Sequence, residues 1–204
     1  MFNTFKYIFI PAIALVITMK IYTAWVKPAV SPDIPAGEEG SGEVLIGGSF
    51  SLTNQDGETV TDKDFLGKYM LVYFGFSNCP MICPTDMNNI SLSIAGVGEE
   101  MAEKIQPIFI TIDPKRDTVE NLKSFITNFH PKFQALTGTP EQIASVANAY
   151  RVYYKEAKAE DLQEYLMDHT AYIYLMGKDG KYIGHFNHGQ DISEIISGLK
   201  KFIQ

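Results

Sequence analysis

YMLVYFGFSNCPMICP, Tyr69 to Pro84, has two halves that together decide the fold. The first, YMLVYFGF, is an unbroken apolar and aromatic run. A central strand reads this way, because successive side chains point to opposite faces and both faces meet apolar neighbours. The second, FSNCPMICP, holds the only two cysteines of the chain, Cys79 and Cys83, each followed by a proline. From Pro84 a helical spacing begins. Met87, Ile90, Ile94 and Val97 recur at intervals of three and four, and Gly96 and Gly98 close the pattern. A second buried strand follows at Ile108–Ile112, stopped by Asp113 and Pro114. Strand, helix and strand in that order predict a parallel pair with a right-handed crossover.

On either side of this unit the pattern changes to hairpins and capped helices. Ser49–Leu52 and Thr59–Val60 flank NQDG, a turn signal. Thr118, with Asn121 three residues on, opens a helix that puts Leu122, Phe125, Ile126 and Phe129 on one face. Pro140 to Tyr150 reads as a further helix. Ala171–Met176 and Tyr182–Phe186 flank GKDG and Lys181 as a second hairpin. Asp191 and Glu194 have capping-box spacing for a last helix. The order is hairpin, β, α, β, α, α, β-hairpin, α. This is a thioredoxin-like α/β sandwich with helices on both faces of the sheet.

The chain has 204 residues and 46% of them are hydrophobic, enough for one domain with a sizeable core and some extra chain. The extra chain lies in front. Residues 1–30 contain three lysines and no acid, so a total charge of −7 leaves −10 on residues 31–204. An acidic domain repels phosphate backbones, and no basic patch interleaved with aromatics is present, so nucleic acid is excluded as a partner. Residues 7–26, YIFIPAIALVITMKIYTAWV, carry one charge, Lys20. A helix of that length spans about 30 Å, the hydrocarbon thickness of a bilayer. Trp25 and Tyr22 suit an interface, and Lys20 can snorkel. A cleaved signal peptide with its apolar region at Tyr7–Met19 is the alternative, but no small-residue cleavage site follows promptly. The expected organisation is a short cytoplasmic end at 1–6, a transmembrane anchor at 7–26, a flexible linker at 27–48 rich in Pro, Gly and acid, and a thioredoxin-like domain at 49–204. With no Arg-rich transit sequence, a single pass in a bacterial inner membrane is favoured over a mitochondrial one. The domain then faces the periplasm.

The cysteines fall between a buried strand and a helix, at the sheet edge where ligands of open α/β folds bind. Pro84 fits the first helical position, which makes Cys83 the cap residue. Its sulfur then lies near free amides and the positive helix end, both of which favour thiolate. Four readings stand: inert buried residues, a disulfide staple, a redox pair and part of a metal site. A staple across so short a loop stabilises weakly. The three-residue gap departs from the C-x-x-C of thiol oxidoreductases. A metal site needs a further ligand, and the four histidines, His130, His169, His185 and His188, can supply one. His130, before a proline, reads as a surface turn. His185 and His188 sit at and beyond a strand end, with Gly189 favouring a loop.

The chain resembles the Sco/SenC family of membrane-anchored, thioredoxin-like copper proteins from about Gly47 to Gly189. FSNCPMICP is similar to the family's C-P-x-x-C-P element. TIDPKRDT, Thr111 to Thr118, is similar to its second motif, and YLMDHTAYIYLMGKDG, Tyr165 to Gly180, to its third. The resemblance implies that Cys79, Cys83 and His169 bind copper and that the cargo goes to the copper-bearing subunit of cytochrome c oxidase. An unidentified donor would supply it. Two soft thiolates and one imidazole suit trigonal Cu(I), whereas Cu(II) is possible with a fourth donor. For Asp113 the family implies a supporting or partner-recognition role, and Asp168 is placed to orient His169 through its other ring nitrogen. Met81 reads as loop packing, Lys115, Arg116 and Asp117 as a solvated charged turn, and Tyr73, Phe74 and Phe76 as core. Carrying copper needs no bond-making on a substrate, so this reading makes the chain no enzyme; the rival function is a thiol-disulfide oxidoreductase that keeps oxidase cysteines reduced.

Overall fold

The computed structural model describes residues 45–157 and 165–203. Its elements in chain order are β1 (Ser51–Asn54), β2 (Thr59–Thr61), a 3-10 turn (Asp62–Phe65), β3 (Tyr69–Gly75), α1 (Ile82–Gly96), α2 (Glu99–Glu103) and β4 (Ile105–Thr111). Then come α3 (Val119–Ile126), β5 (Gln134–Thr137), α4 (Pro140–Ala149), β6 (Tyr154–Ala157), β7 (Leu166–His169), β8 (Ile173–Met176), β9 (Tyr182–Phe186) and α5 (Ile192–Phe202). One sheet runs β2-β1-β5-β4-β3-β8-β9, and β6 pairs with β7 beside it.

The apolar run behaves as its composition demands. Six consecutive residues of β3, Met70 to Gly75, are buried, so both faces of the strand are covered. β3 pairs in parallel with β4, from Tyr69 opposite Ile105 to Gly75 opposite Thr111. It pairs antiparallel with β8, Tyr73 opposite Ile173. This register brings three chain ends to one sheet edge. β3 and β4 finish there and β8 begins there. The cysteine loop, the Asp113 turn and the segment carrying His169 are therefore neighbours by topology.

Helix starts follow local chemistry. Thr118 accepts a hydrogen bond from the Asn121 amide at the head of α3, and Leu122 is fully buried. Thr139 caps α4 with Gln142 in a reciprocal capping box, followed by Pro140. Asp191 caps α5 by accepting from the Ser193 amide rather than through a box with Glu194. α1 and α5 pack together.

Five elements go beyond the sequence expectation: the 3-10 turn, the five-residue helix α2 and the short strands β5, β6 and β7. His169 ends β7 and precedes β8, which begins at Ile173. The predicted anchor at 7–26 and most of the linker at 27–48 lie outside the described residues. Among the described residues no helix is long and apolar enough to cross a membrane.

Candidate metal centre

α1 begins at Ile82, two residues before Pro84, and its cap residue Met81 makes no side-chain cap bond. The Cys79 sulfur fills that role. It accepts the backbone N–H of Cys83 at 3.4 Å, one of the amides that a first helical turn leaves unpaired. Pro84 still lies in the first turn, where its missing N–H costs nothing. Cys83 is thus inside the helix and fully buried, not at the cap. Its sulfur rests over Gly75: a Cβ there would lie 2.9 Å from Cys83 Sγ.

The amide donated to the Cys79 sulfur favours Cys79 as the thiolate of the pair. The Cys79 thiol is lowered to about 5, first by a hydrogen bond from the Cys83 side chain and then by the Cys83, Met81 and Ile82 amides, with burial opposing them. The Cys83 thiol is pushed up, because its proton is held between the two sulfurs, its surroundings are apolar and a charged Cys79 is adjacent. In the reduced, metal-free protein, iodoacetamide should therefore modify Cys79 before Cys83. The rate should stay flat from about pH 8 to about pH 6 and halve near pH 5, since only the thiolate reacts. An ordinary thiol, with a pKa of about 8.5, would instead gain roughly tenfold per pH unit over that range. Such a slope would show that Cys79 is not the ionised partner.

His169 arrives from β7, held by its pairing with Tyr154. Its Nε2 lies 3.7 Å from Cys83 Sγ, across 86 residues of chain. Its Nδ1 lies 3.0 Å from the Thr170 carbonyl. A carbonyl only accepts, so Nδ1 carries the proton and Nε2 keeps its lone pair towards the sulfur. The rings of Tyr73 and Phe76 stand edge-on to the imidazole at 6.4 and 6.1 Å. The Thr170 carbonyl, rather than Asp168, meets the ring nitrogen; Asp168 is exposed and lies in the lining of the cavity beside the site. Outside the donors is an apolar cavity of about 340 Å³ lined by Phe76, Pro80, Met81, Ile82 and Leu166, with Cys79 and His169 in its wall. Met81 is 71% exposed on its rim, not packed in the loop.

The charged turn expected at Lys115–Asp117 is largely interior. Only Lys115 fits the expectation, pairing at the surface with Glu156. Asp117 is fully buried and accepts from the Ser77 amide (3.0 Å), the Ser77 hydroxyl and the Thr111 hydroxyl (2.6 Å). Burial raises its pKa while these donors oppose the rise. It ties the cysteine loop to the end of β4. Asp113, 3% exposed, accepts from Arg116 Nε and from the Tyr165 hydroxyl at 2.8 Å. The Arg116 guanidinium lies 3.8 Å from the Tyr165 ring centre and 5.8 Å from that of Phe76. Asp113 thus braces the wall behind the cysteine loop.

Asp86, one helical turn past Cys83, is also fully buried. It accepts from His188 Nδ1 at 2.8 Å and from the Gly189 amide at 3.1 Å. His185 pairs with the Tyr182 hydroxyl, and the His130 ring nitrogen with the Lys132 amide. Only His169 of the four histidines meets a cysteine sulfur. The interior roles of Asp86, Arg116 and Asp117 have little sequence signal: a lone polar residue in a helix or turn looks solvated until its tertiary donors are known.

Among the described residues no group of three His, Cys, Asp or Glu side chains is arranged to hold a metal ion. The measured spacing nevertheless fits a bridging ion. Taking zinc's bond lengths, about 2.0 Å to imidazole and about 2.3 Å to thiolate, a trigonal angle separates nitrogen and sulfur by about 3.7 Å. The Cys79 sulfur is turned to the Cys83 amide.

Residues 38–204 match the SCO1/SenC family model. The chain is 40% identical over 164 residues to the mitochondrial protein SCO1 homolog 1 of Arabidopsis thaliana, covering 80% of this chain and 49% of the relative. It thus spans about half the length of that relative. The structure of Bradyrhizobium japonicum ScoI with copper bound superposes with a TM-score of 0.70 at 42% identity, covering 78% of this chain and 99% of that one. BsSco, described as a member of the Sco family of cytochrome c oxidase assembly proteins and as having a disulfide switch, superposes with a TM-score of 0.59 at 26% identity, over 77% and 92% of the two chains. The chain belongs to the SCO1/SenC family.

Proposed function

We propose that this protein is a copper carrier for cytochrome c oxidase assembly. In this reading Cys79, Cys83 and His169 hold one copper ion. The observation that carries it is the 3.7 Å between His169 Nε2 and Cys83 Sγ. A lone pair on a soft-metal ligand faces a buried sulfur at the spacing that a shared ion requires. The copper-bound relative supports the choice of metal. Two thiolates and Cu(I) carry a net charge of −1, which the amino end of α1 favours. Three donors satisfy Cu(I) and leave Cu(II) short of its preferred fourth. A shell this incomplete also suits release.

Release would proceed by ligand exchange. Cys79 is the less buried of the two sulfurs, 8% exposed against 0% for Cys83 and in the wall of the apolar cavity, so an incoming thiolate would meet the copper on that side. Partner sulfurs would then replace Cys79, His169 and Cys83 in turn, with Cys83 last because it is buried in the helix. The acceptor is the copper-bearing subunit of the oxidase. The segment at 7–26 would anchor the domain at the outer face of a bacterial inner membrane. Asp113 and Asp168 lie on either side of the His169 segment, Asp113 bracing it from within through Tyr165 and Asp168 facing a docking partner.

The depressed Cys79 thiol favours a second reading, thiol-disulfide exchange on oxidase cysteines. Anaerobic titration of the reduced protein with Cu(I) against a chromophoric chelator tests the first. One copper per chain is expected, and none in Cys79→Ser or Cys83→Ser under the same competition. Retention of wild-type affinity by either variant would contradict a site built on both sulfurs.

A further inference from the structure

The Tyr73 side chain is fully buried in β3, and its hydroxyl has no hydrogen-bond partner among the described residues. An orphaned buried hydroxyl is costly, so it calls for an explanation. The ring meets the Cys83 sulfur over Gly75. A Cβ at residue 75 would lie 2.9 Å from Cys83 Sγ and 3.1 Å from Tyr73 Cε1. Two acceptors flank the hydroxyl, the Cys83 sulfur and the Asp86 carboxylate, and both act with burial to keep the phenol protonated. Both are near enough to act on the hydroxyl as hydrogen-bond acceptors, yet neither forms a bond of ordinary geometry with it. Both oxygens of Asp86 already accept elsewhere, Oδ2 from His188 Nδ1 and Oδ1 from the Gly189 amide. The sulfur is the acceptor with room to improve. As a neutral thiol it accepts weakly. As a thiolate bound to a metal it carries negative charge and accepts strongly.

We propose that Tyr73 is a positioning residue for the bound metal, whose O–H donates to the Cys83 sulfur when that sulfur is a metal thiolate. The hydroxyl is unsatisfied in the metal-free protein and satisfied in the loaded one, so it favours loading. It also fixes the direction of the sulfur lone pairs, which orients the remaining ones towards His169. This inference rests on the copper-site reading above.

Tyr73→Phe removes the hydroxyl and keeps the ring. Copper(I) affinity in chelator competition should fall about 10- to 100-fold, the range for a hydrogen bond to a charged group. Thermal unfolding of the metal-free variant should be unchanged or shifted upward, because the orphaned group is gone. In the Cu(II)-loaded protein the sulfur-to-copper charge-transfer band should move to longer wavelength, because the sulfur electrons are no longer held down by a donor. Equal affinity and an unmoved band in the two proteins would overturn the role of Tyr73 and leave the site intact. A fall in metal-free stability that parallels the loss of affinity would reduce Tyr73 to core packing and overturn it equally. A wild-type chain that takes up no copper would overturn the site reading and this inference together.

Discussion

His169→Ala is expected to lose its copper while keeping its thiol chemistry. The variant removes the nitrogen donor at 3.7 Å from Cys83 Sγ and leaves two sulfurs, an under-coordinated site. Copper(I) affinity should drop by more than the roughly 10- to 100-fold that loss of an outer-sphere partner costs a metal site. The features that depress the Cys79 thiol are the Cys83 side chain and three amides of the first helical turn, none of them from His169. Exchange with a disulfide substrate should therefore continue at close to the wild-type rate. Measuring both properties on one variant separates the two functional readings. Full copper loading at unchanged affinity would remove His169 from the site. Loss of thiol exchange together with copper would show that the histidine serves the sulfurs in both chemistries.

Gly75→Ala is expected to damage the fold and the site together. The reason is space, not backbone conformation. A Cβ would fall 2.9 Å from Cys83 Sγ, 3.0 Å from Phe109 Cε2 and 3.1 Å from Tyr73 Cε1. All three side chains are fully buried, and two of the contacts are with rigid rings. Overpacking of this kind costs roughly 1–3 kcal/mol. The sulfur is the atom with some freedom to move, and its displacement changes the 3.7 Å spacing to His169 Nε2. Denaturant unfolding of the metal-free variant should show the loss of stability, and chelator competition should show weaker copper binding. Gly184→Ala in β9 is the control, because nothing lies within 4 Å of a Cβ there. Wild-type behaviour of Gly75→Ala would mean that Cys83 is held less tightly against β3 than the packing requires.

The central frame was legible because its signals are strong and local. Tyr69–Gly75 and Ile105–Thr111 are apolar on both faces, as a central parallel pair must be. Thr118 and Asp191 announce helices through their own side chains. β5, β6 and β7 escaped because QALT, YKEA and LMDH are four residues each and mix polar with apolar positions. Their identity as strands comes from partners distant in sequence. The order of the two cysteines was misjudged for a similar reason. Taking Pro84 as the first helical residue made Cys83 the cap. A helix that starts at Ile82 instead makes Cys83 the donor of an amide and Cys79 its acceptor. The meeting of His169 with the Cys83 sulfur could not be read from spacing. It follows from β8 running antiparallel to β3, so that the residues before Ile173 return to the edge where β3 ends. The resemblance of three motifs in order pointed to His169 before the topology explained why. Asp117 and Arg116 read as solvent-exposed because nothing in KRD itself names Ser77, Thr111 or Tyr165 as partners.

X-ray absorption at the copper edge of the loaded protein tests the account most directly. The expected result is Cu(I) with two sulfurs at about 2.3 Å and one imidazole nitrogen at about 2.0 Å, with the nitrogen contribution lost in His169→Ala. A shell of sulfur alone, or one whose nitrogen survives that substitution, would contradict the account.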